Sequence, residues 1–484
     1  MSSSATLAGP QSAPEPSPSE SQETAVPLSP PLGTRPERLL SLDIFRGLTV
    51  AGMILVNNPG SWGHIYAPLG HARWDGWTPT DFVFPFFLFI VGVAMTFSFD
   101  RRLARGDGRG RLLGHVLARS CVLFLLGLIL AGFPNFRLIT PSILAIAGIQ
   151  LVARDLPPGE RNRWKGFGLG LLGAALIWFL ADFRYFNGPT PRGGFEHLFP
   201  LSSEGGRTPI RIPGVLQRIA LCYLAASLIM FTARTWGRAA WALGLINVYW
   251  LIMKYVPAPE GYVIGNGAPG ARIDAPEGSP FPGALNDWID VQVLGGHLYG
   301  ARPDPEGILS TLPAIATTLL GVLTGMWLRH SGPSKAAKAA ALFVAGNLLF
   351  ILGAAMDSYF PINKKIWTSS YVIFMAGWAA ALLAACYWAV DVKGWRRWGL
   401  PFMVLGTNAI LAFFGSGILA RLMGMIRLGE DGEKEITLRA WLYQFFQEGI
   451  SDPKNASLAW ALSYVAFWVL LITPLYRKRI FLKV

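Results

Sequence analysis

Apolar runs of roughly twenty residues recur along this chain, and short polar connections between them hold most of its charge. A membrane core of about 30 Å requires about twenty apolar residues in a helix, since no backbone hydrogen bond can be left open there. Twelve such runs are centred near residues 47, 90, 122, 145, 174, 223, 246, 318, 346, 379, 409 and 466. The pattern predicts an all-α, polytopic helical bundle of about 12 spans, within a range of about 10–12. The run near 145, about 138–152, is short enough to cross or to re-enter. The first run, LSLDIFRGLTVAGMILVN, differs from the rest in carrying Asp43 and Arg46.

Composition agrees with the pattern. Of 484 residues, 52% are hydrophobic and 15% charged, where a soluble domain carries about 25% charged residues. The net charge of +13 raises the question of nucleic acid. The basic residues, however, sit in short clusters between apolar runs, with no basic domain or stacking motif, so no nucleic-acid partner is expected. RRLARGDGRGR (101–111), RDLPPGERNRWK (154–165), ARTWGR (233–238), RHSGPSKAAK (329–338), KGWRR (393–397) and YRKRIFLK (476–483) all fall on one side of the bundle. The positive-inside rule assigns that side, and with it both termini, to the cytoplasm.

Residues 1–36 are rich in Ser, Pro, Ala and Glu and read as a disordered cytoplasmic tail without a cleaved signal. Residues 37–484 read as one transmembrane domain. Cys121, Cys222 and Cys386 lie within apolar runs without metal spacing, and no metal is expected.

The opposite face collects chemistry. GHARWDGWTPTDFVFPFF (70–87) brings His71, Trp74 and Asp81 to the entrance of the second span. IRIPGVLQR (210–218) opens the sixth run, DPEGILSTLP (304–313) opens the eighth, and MDSYFPINKKIW (356–367) joins the ninth and tenth. Asn57 and Asn58 close the first. Polar segments from distant parts of the chain converging on one end of a bundle mark a site. They supply Trp74, Gln217, Arg218, Asp304, Glu306, Asn363, Lys364 and Trp367 as candidate substrate contacts.

Each motif also has a plainer reading. Asp43 and Arg46 are three residues apart, so they can pair as a structural ion pair. Equally, Arg46 and Asp43 can form part of a site for an anionic group entering from the cytoplasm, because a guanidinium suits phosphate. His71 is either a loop histidine or a proton-transfer group beside Asp75 and Asp81. A pairing with His64 for metal lacks a third ligand at a recognised spacing. Asp304 and Pro305 fit a helix start. GNGAPG (265–270) has the letters of a dinucleotide fingerprint but neither the strand before it nor the helix after it.

RLLSLDIFRGLTVAGMILVNNPG followed by HARWDGWTPTDFVFPFFLFIVG resembles the core of the heparan-α-glucosaminide N-acetyltransferase family of transmembrane acyltransferases. The likeness continues through RIPGVLQRIALCYL, DPEGILSTLPAIATTLLGVLTG, PINKKIWTSSYV and VDVKGWRRWGLPFMVLGTNAI, covering most of residues 38–415 in order. The resemblance implies transfer of an acetyl group from cytoplasmic acetyl-CoA to an amino sugar or related glycan across a membrane. It implies His71 as the catalytic histidine, with Asn57 and Asp81 beside it. Two spans near 138–209 look inserted relative to bacterial relatives, and the lumenal domain of the lysosomal enzyme has no counterpart. The expected location is the inner membrane of a bacterium, and a homodimer is compatible with the reading. A secondary sugar transporter is the alternative, since twelve spans and intramembrane charge suit it too.

Overall fold

The computed structural model describes residues 39–154, 158–187, 211–265, 272–295, 297–428 and 435–482. The expected tail at 1–36 and nearly all of GNGAPG lie outside the described residues. Every one of the twelve apolar runs coincides with helix. They are α1 (Leu40–Asn57), α2 (Val83–Leu103), α3 (Arg109–Gly132), α4 (Phe136–Ala153), α5 (Pro158–Asn187), α6 (Val215–Thr232) and α7 (Thr235–Tyr255). After a short helix outside the runs, α8 (Ala284–Leu294), come α9 (Thr311–Arg329), α10 (Lys335–Met356), α11 (Ser369–Tyr387), α12 (Leu400–Thr407) and α13 (Ala409–Met425). A second short helix, α14 (Leu438–Gly449), precedes α15 (Pro453–Arg477).

Among the described residues, eight helices are long and apolar enough to cross a membrane: α1, α2, α3, α6, α9, α10, α11 and α15. The α12–α13 pair makes nine if it counts as one span, but it is bent by 72°. The run near 409 is thus a broken helix. Its break falls at Asn408, whose side chain is fully buried and holds the backbone of Ile480 and Leu482 at 3.2 and 2.9 Å. The three other runs, α4, α5 and α7, are helices of 18, 30 and 21 residues. α4 is continuous and packs along α5, where Gly148 and Gly168 bring the two backbones together.

Glycines set the helix spacing in the centre. A Cβ on Gly47 would lie 1.6 Å from the Phe402 carbonyl oxygen, and one on Gly406 would lie 1.9 Å from that of Asp43. The α1–α12 crossing therefore tolerates no side chain at either point. Close backbone approach at small residues is how membrane helices gain packing where no hydrophobic drive separates helix from lipid. α11 is buried on nearly every face, from Ser369 to Tyr387, whereas α10 covers it with few buried residues of its own.

The polar connections divide into two groups. At one end, Ser41 N–H donates to Asp391 and Arg329 pairs with Asp100. At the other, the 57–82, 211–214, 272–310, 357–368 and 435–457 segments bond to one another. Gly76 N–H donates to Ile362 O, Trp74 Nε1 to Ser279 Oγ, Ile212 N–H to His297 O, and Arg439 to Pro59 O. The predicted gathering of these segments on one face is therefore the arrangement found. Two-residue strands, β1 (Arg272–Ile273) and β2 (Ala301–Arg302), pair in parallel within it.

Candidate active site

The turn leading into α2 builds the centre of the site. Thr78 and Asp81 form a capping box on a short 3-10 turn, Pro79–Phe82. Asp81 Oδ2 accepts the N–H groups of Thr78 at 3.0 Å and Ala72 at 3.1 Å. That fixes the carboxylate and leaves Oδ1 facing His71 Nδ1 at 2.7 Å. From below, the Tyr371 hydroxyl donates to Asp81 O at 2.7 Å. Asp81 is 1% exposed, while the His71 side chain is 43% exposed, so the imidazole stands at the mouth and its anchor lies behind.

Lys364 arrives from a separate turn between α10 and α11. Asn363 shapes that turn: its Oδ1 accepts Ile366 N–H, and its Nδ2 donates to Asp75 Oδ1 at 3.1 Å. Thr368 caps α11, and Trp367 takes a left-handed φ of 53°, uncommon for a bulky residue. Lys364 Nζ then lies 3.0 Å from His71 Nδ1, 3.4 Å from His71 Nε2 and 3.4 Å from Asp81 Oδ1. An ammonium only donates and a carboxylate only accepts. The consistent assignment has His71 Nδ1–H and Lys364 both donating to Asp81, which leaves Nε2 as the ring nitrogen with the lone pair. Burial pushes the Lys364 ammonium down from its ordinary pKa, against the opposing charges of Asp81 and Glu306. Burial likewise raises the Asp75 carboxyl, against the hydrogen bond from Asn363.

A second cluster adjoins the first. Arg211 donates to Asp304 Oδ2 at 3.0 Å, also pairs with Glu306, and lies over the Tyr299 ring at 4.5 Å. Burial alone would lower its pKa, but Glu306 and Asp304 outweigh that and raise it. Arg218 is 1% exposed, donates to Gly307 O at 2.8 Å and to Ser310, and lies over Trp367 at 5.2 Å. Trp74, Asp304, Asn363 and Trp367 are also buried, so these side chains form walls and supports. Gln217 presses its amide against Gly127 and Gly214.

Three further candidates lie on α1. Asn57 ends α1 exposed, whereas Asn58 is buried and donates to Ile54 O. Arg46 and Asp43 lie toward the other end of α1, paired at 3.2 Å, with Arg46 also donating to Gly406 O. Among the described residues no three His, Cys, Asp or Glu side chains are grouped as metal ligands. Thr78, Tyr371 and Arg211 were not singled out from the sequence. Thr78 had a signal, the capping-box spacing to Asp81. Arg211 had none, because its partners lie 93 and 95 positions away.

Asp290, on α8, gives a test of this outer architecture. Burial pushes its carboxyl up to about 7, opposed by the Ile308 N–H and reinforced by Asp304. Arg218, which lowers it, and Asp287, which raises it, also face it. A raised folded-state pKa means stability is full below the unfolded value near 4 and is lost as pH rises through about 7. Three pKa units correspond to about 4 kcal/mol. Asp290→Asn should therefore melt higher than the parent at pH 8 and nearly level with it at pH 4.5. Equal pH dependence of the two melting curves would count against this buried acid.

No family model matches the chain. It is 26% identical to mouse (Mus musculus) heparan-alpha-glucosaminide N-acetyltransferase over 489 aligned residues, covering 92% of this chain and 60% of the relative. It is 27% identical to the human (Homo sapiens) enzyme of the same name over 497, covering 94% and 61%. The chain thus spans about three-fifths of the length of the relatives it matches. Helices apolar enough to cross a membrane make it an integral membrane protein, and similarity along nearly its whole length to both enzymes supports its membership of the heparan-alpha-glucosaminide N-acetyltransferase family.

Proposed function

We propose that this protein is a membrane-embedded acetyltransferase that moves an acetyl group from cytoplasmic acetyl-CoA to an amino sugar or related glycan at the outer face. The observation that carries the reading is the partly exposed His71 imidazole, tethered by Nδ1 to a buried carboxylate. An acceptor amine or hydroxyl must lose a proton as it attacks a thioester. His71 Nε2 takes that proton and returns it to the CoA sulfur as the thioester C–S bond breaks, so CoA leaves as the thiol; Asp81 holds the tautomer that makes Nε2 basic, and Lys364 balances the charge of Asp81. The Asn57 amide, at the outer end of α1, steadies the developing oxyanion. Attack by Nε2 on the thioester, giving an acetyl-histidine, is a second route through the same atoms.

Acetyl-CoA supplies the activated acyl group from the cytoplasmic side. Arg46 and Asp43 lie on that side of His71, and from Arg46 to Asn57 the helix climbs eleven residues, about 16 Å. A guanidinium donating into the α1–α12 crossing fits a phosphate-bearing ligand. We place the protein in a bacterial inner membrane, with both termini cytoplasmic.

Ligand that binds only the folded state raises stability by about 2.7 kcal/mol at a hundredfold excess over its dissociation constant. Purified protein is expected to melt higher with acetyl-CoA or CoA, and less so in Arg46→Ala. No shift at millimolar ligand would sink the donor assignment. Orientation is tested separately in a Cys121→Ala background, because Cys121 is exposed. A cysteine replacing Val263 should react with an impermeant thiol reagent on intact cells, and one replacing Ser331 should not. The reverse pattern would place His71 on the cytoplasmic side.

A further inference from the structure

Among the described residues, Arg119 is a cation within a spanning helix that the donor reading leaves unused. Arg119 lies ten residues into α3, about 15 Å from its start, inside a helix long and apolar enough to cross a membrane. It faces inward: Val116, one turn before, packs in the core with Tyr223 of α6, and Leu123, one turn after, is buried too. The Arg119 guanidinium lies over the Tyr223 ring at 5.0 Å, and its buried Nε has no hydrogen-bond partner. A charge within a spanning helix is costly and marks ligand and ion paths. A ring face replaces only part of the lost hydration, about 0.5–2 kcal/mol.

The same pair of helices holds further buried, unpartnered polar atoms: Ser120 Oγ, Gln217 Nε2, and Nε and Nη1 of Arg218. Gln217 is six residues, about 9 Å, nearer the start of α6 than Tyr223, and Arg218 adjoins the His71 cluster through Trp367. The helices α1, α2, α6, α3 and α13 pack in cyclic contact, so the α3–α6 seam and Arg46 of α1 belong to one ring. We propose that Arg119 binds a phosphate of the acyl donor, as a second cation beside Arg46, and that Gln217 continues the polar lining from it toward His71. This rests on the acetyl-CoA reading and adds to it a binding residue and a route between α3 and α6.

The test compares CoA with pantetheine, which shares the thiol arm and lacks the nucleotide and its phosphates, on purified full-length protein. Arg119→Met is expected to weaken CoA binding tenfold or more and leave pantetheine binding unchanged, with Arg119→Lys in between. Equal CoA affinity in Arg119→Met and the parent would overturn the proposal while leaving the donor reading intact. A parallel loss of CoA and pantetheine would also overturn it, by showing that Arg119 only holds the helices together. Should Arg119→Met fail to fold, Arg119→Lys decides, since it keeps the charge and loses the fork: undiminished CoA binding there would refute a guanidinium–phosphate contact. If the parent protein binds neither CoA nor pantetheine, the acetyl-CoA reading falls, and this proposal with it.

Discussion

His71→Ala is expected to reduce acetyl transfer on the order of a hundredfold or more, the usual scale for removing a positioned general base. It should fold as the parent does, because the side chain is 43% exposed and its anchor Asp81 keeps its bonds to Thr78 and Ala72. CoA binding should persist, because the proposed donor contacts Arg46 and Asp43 lie toward the other end of α1. Exposed His64, in the same loop, is the control, and His64→Ala should keep most activity. Asp81→Asn should come close to the His71→Ala loss. An amide can keep its oxygen toward the Thr78 and Ala72 N–H groups, but it then presents an NH₂ to His71 Nδ1. That moves the imidazole proton to Nε2 and removes its lone pair. Full activity of His71→Ala on every acceptor used by the parent would withdraw the catalytic role.

Gly406→Ala is the substitution expected to damage the fold most. Its Cβ would sit 1.9 Å from Asp43 O and within 3.0 Å of Gly47 N, both of them backbone. No rotamer relieves that contact, so α1 and α12 must separate. The cost should reach or exceed the upper end of the roughly 1–3 kcal/mol typical of overpacking. Since Arg46 donates to Gly406 O, the same change should weaken donor binding. Gly244→Ala, on α7, is the matched control: nothing lies within 4 Å of its Cβ, and alanine favours helix over glycine by about 0.8–1.0 kcal/mol. Thermal midpoints in detergent decide the matter. A Gly406→Ala protein as stable as Gly244→Ala would mean that the two backbones do not meet as described.

The sequence by itself determined where the long helices lie and which connections share a face. Lipid imposes one constraint that is legible residue by residue: a spanning helix must be apolar over its whole length. Connections escape that constraint, and they therefore keep the charges that sort them into two sets. The sequence also placed Asp81 at the entrance of the second span, and the Thr78 spacing that makes it a cap was present but not singled out. It did not disclose the 72° break at Asn408, since apolar residues run through both halves and the bend is held by the distant tail at Ile480 and Leu482. It did not disclose α8 and α14 either, which are too short and polar to resemble spans. Only the tertiary structure brought Lys364 within 3.4 Å of Asp81, 283 positions earlier in the chain, and joined Arg211 to Asp304 and Glu306. Those meetings depend on how closely helices approach at glycines such as Gly353, against Phe374 beside the Lys364 turn, and Gly92, against Thr318. That distance is set jointly by two surfaces, and neither segment records it alone.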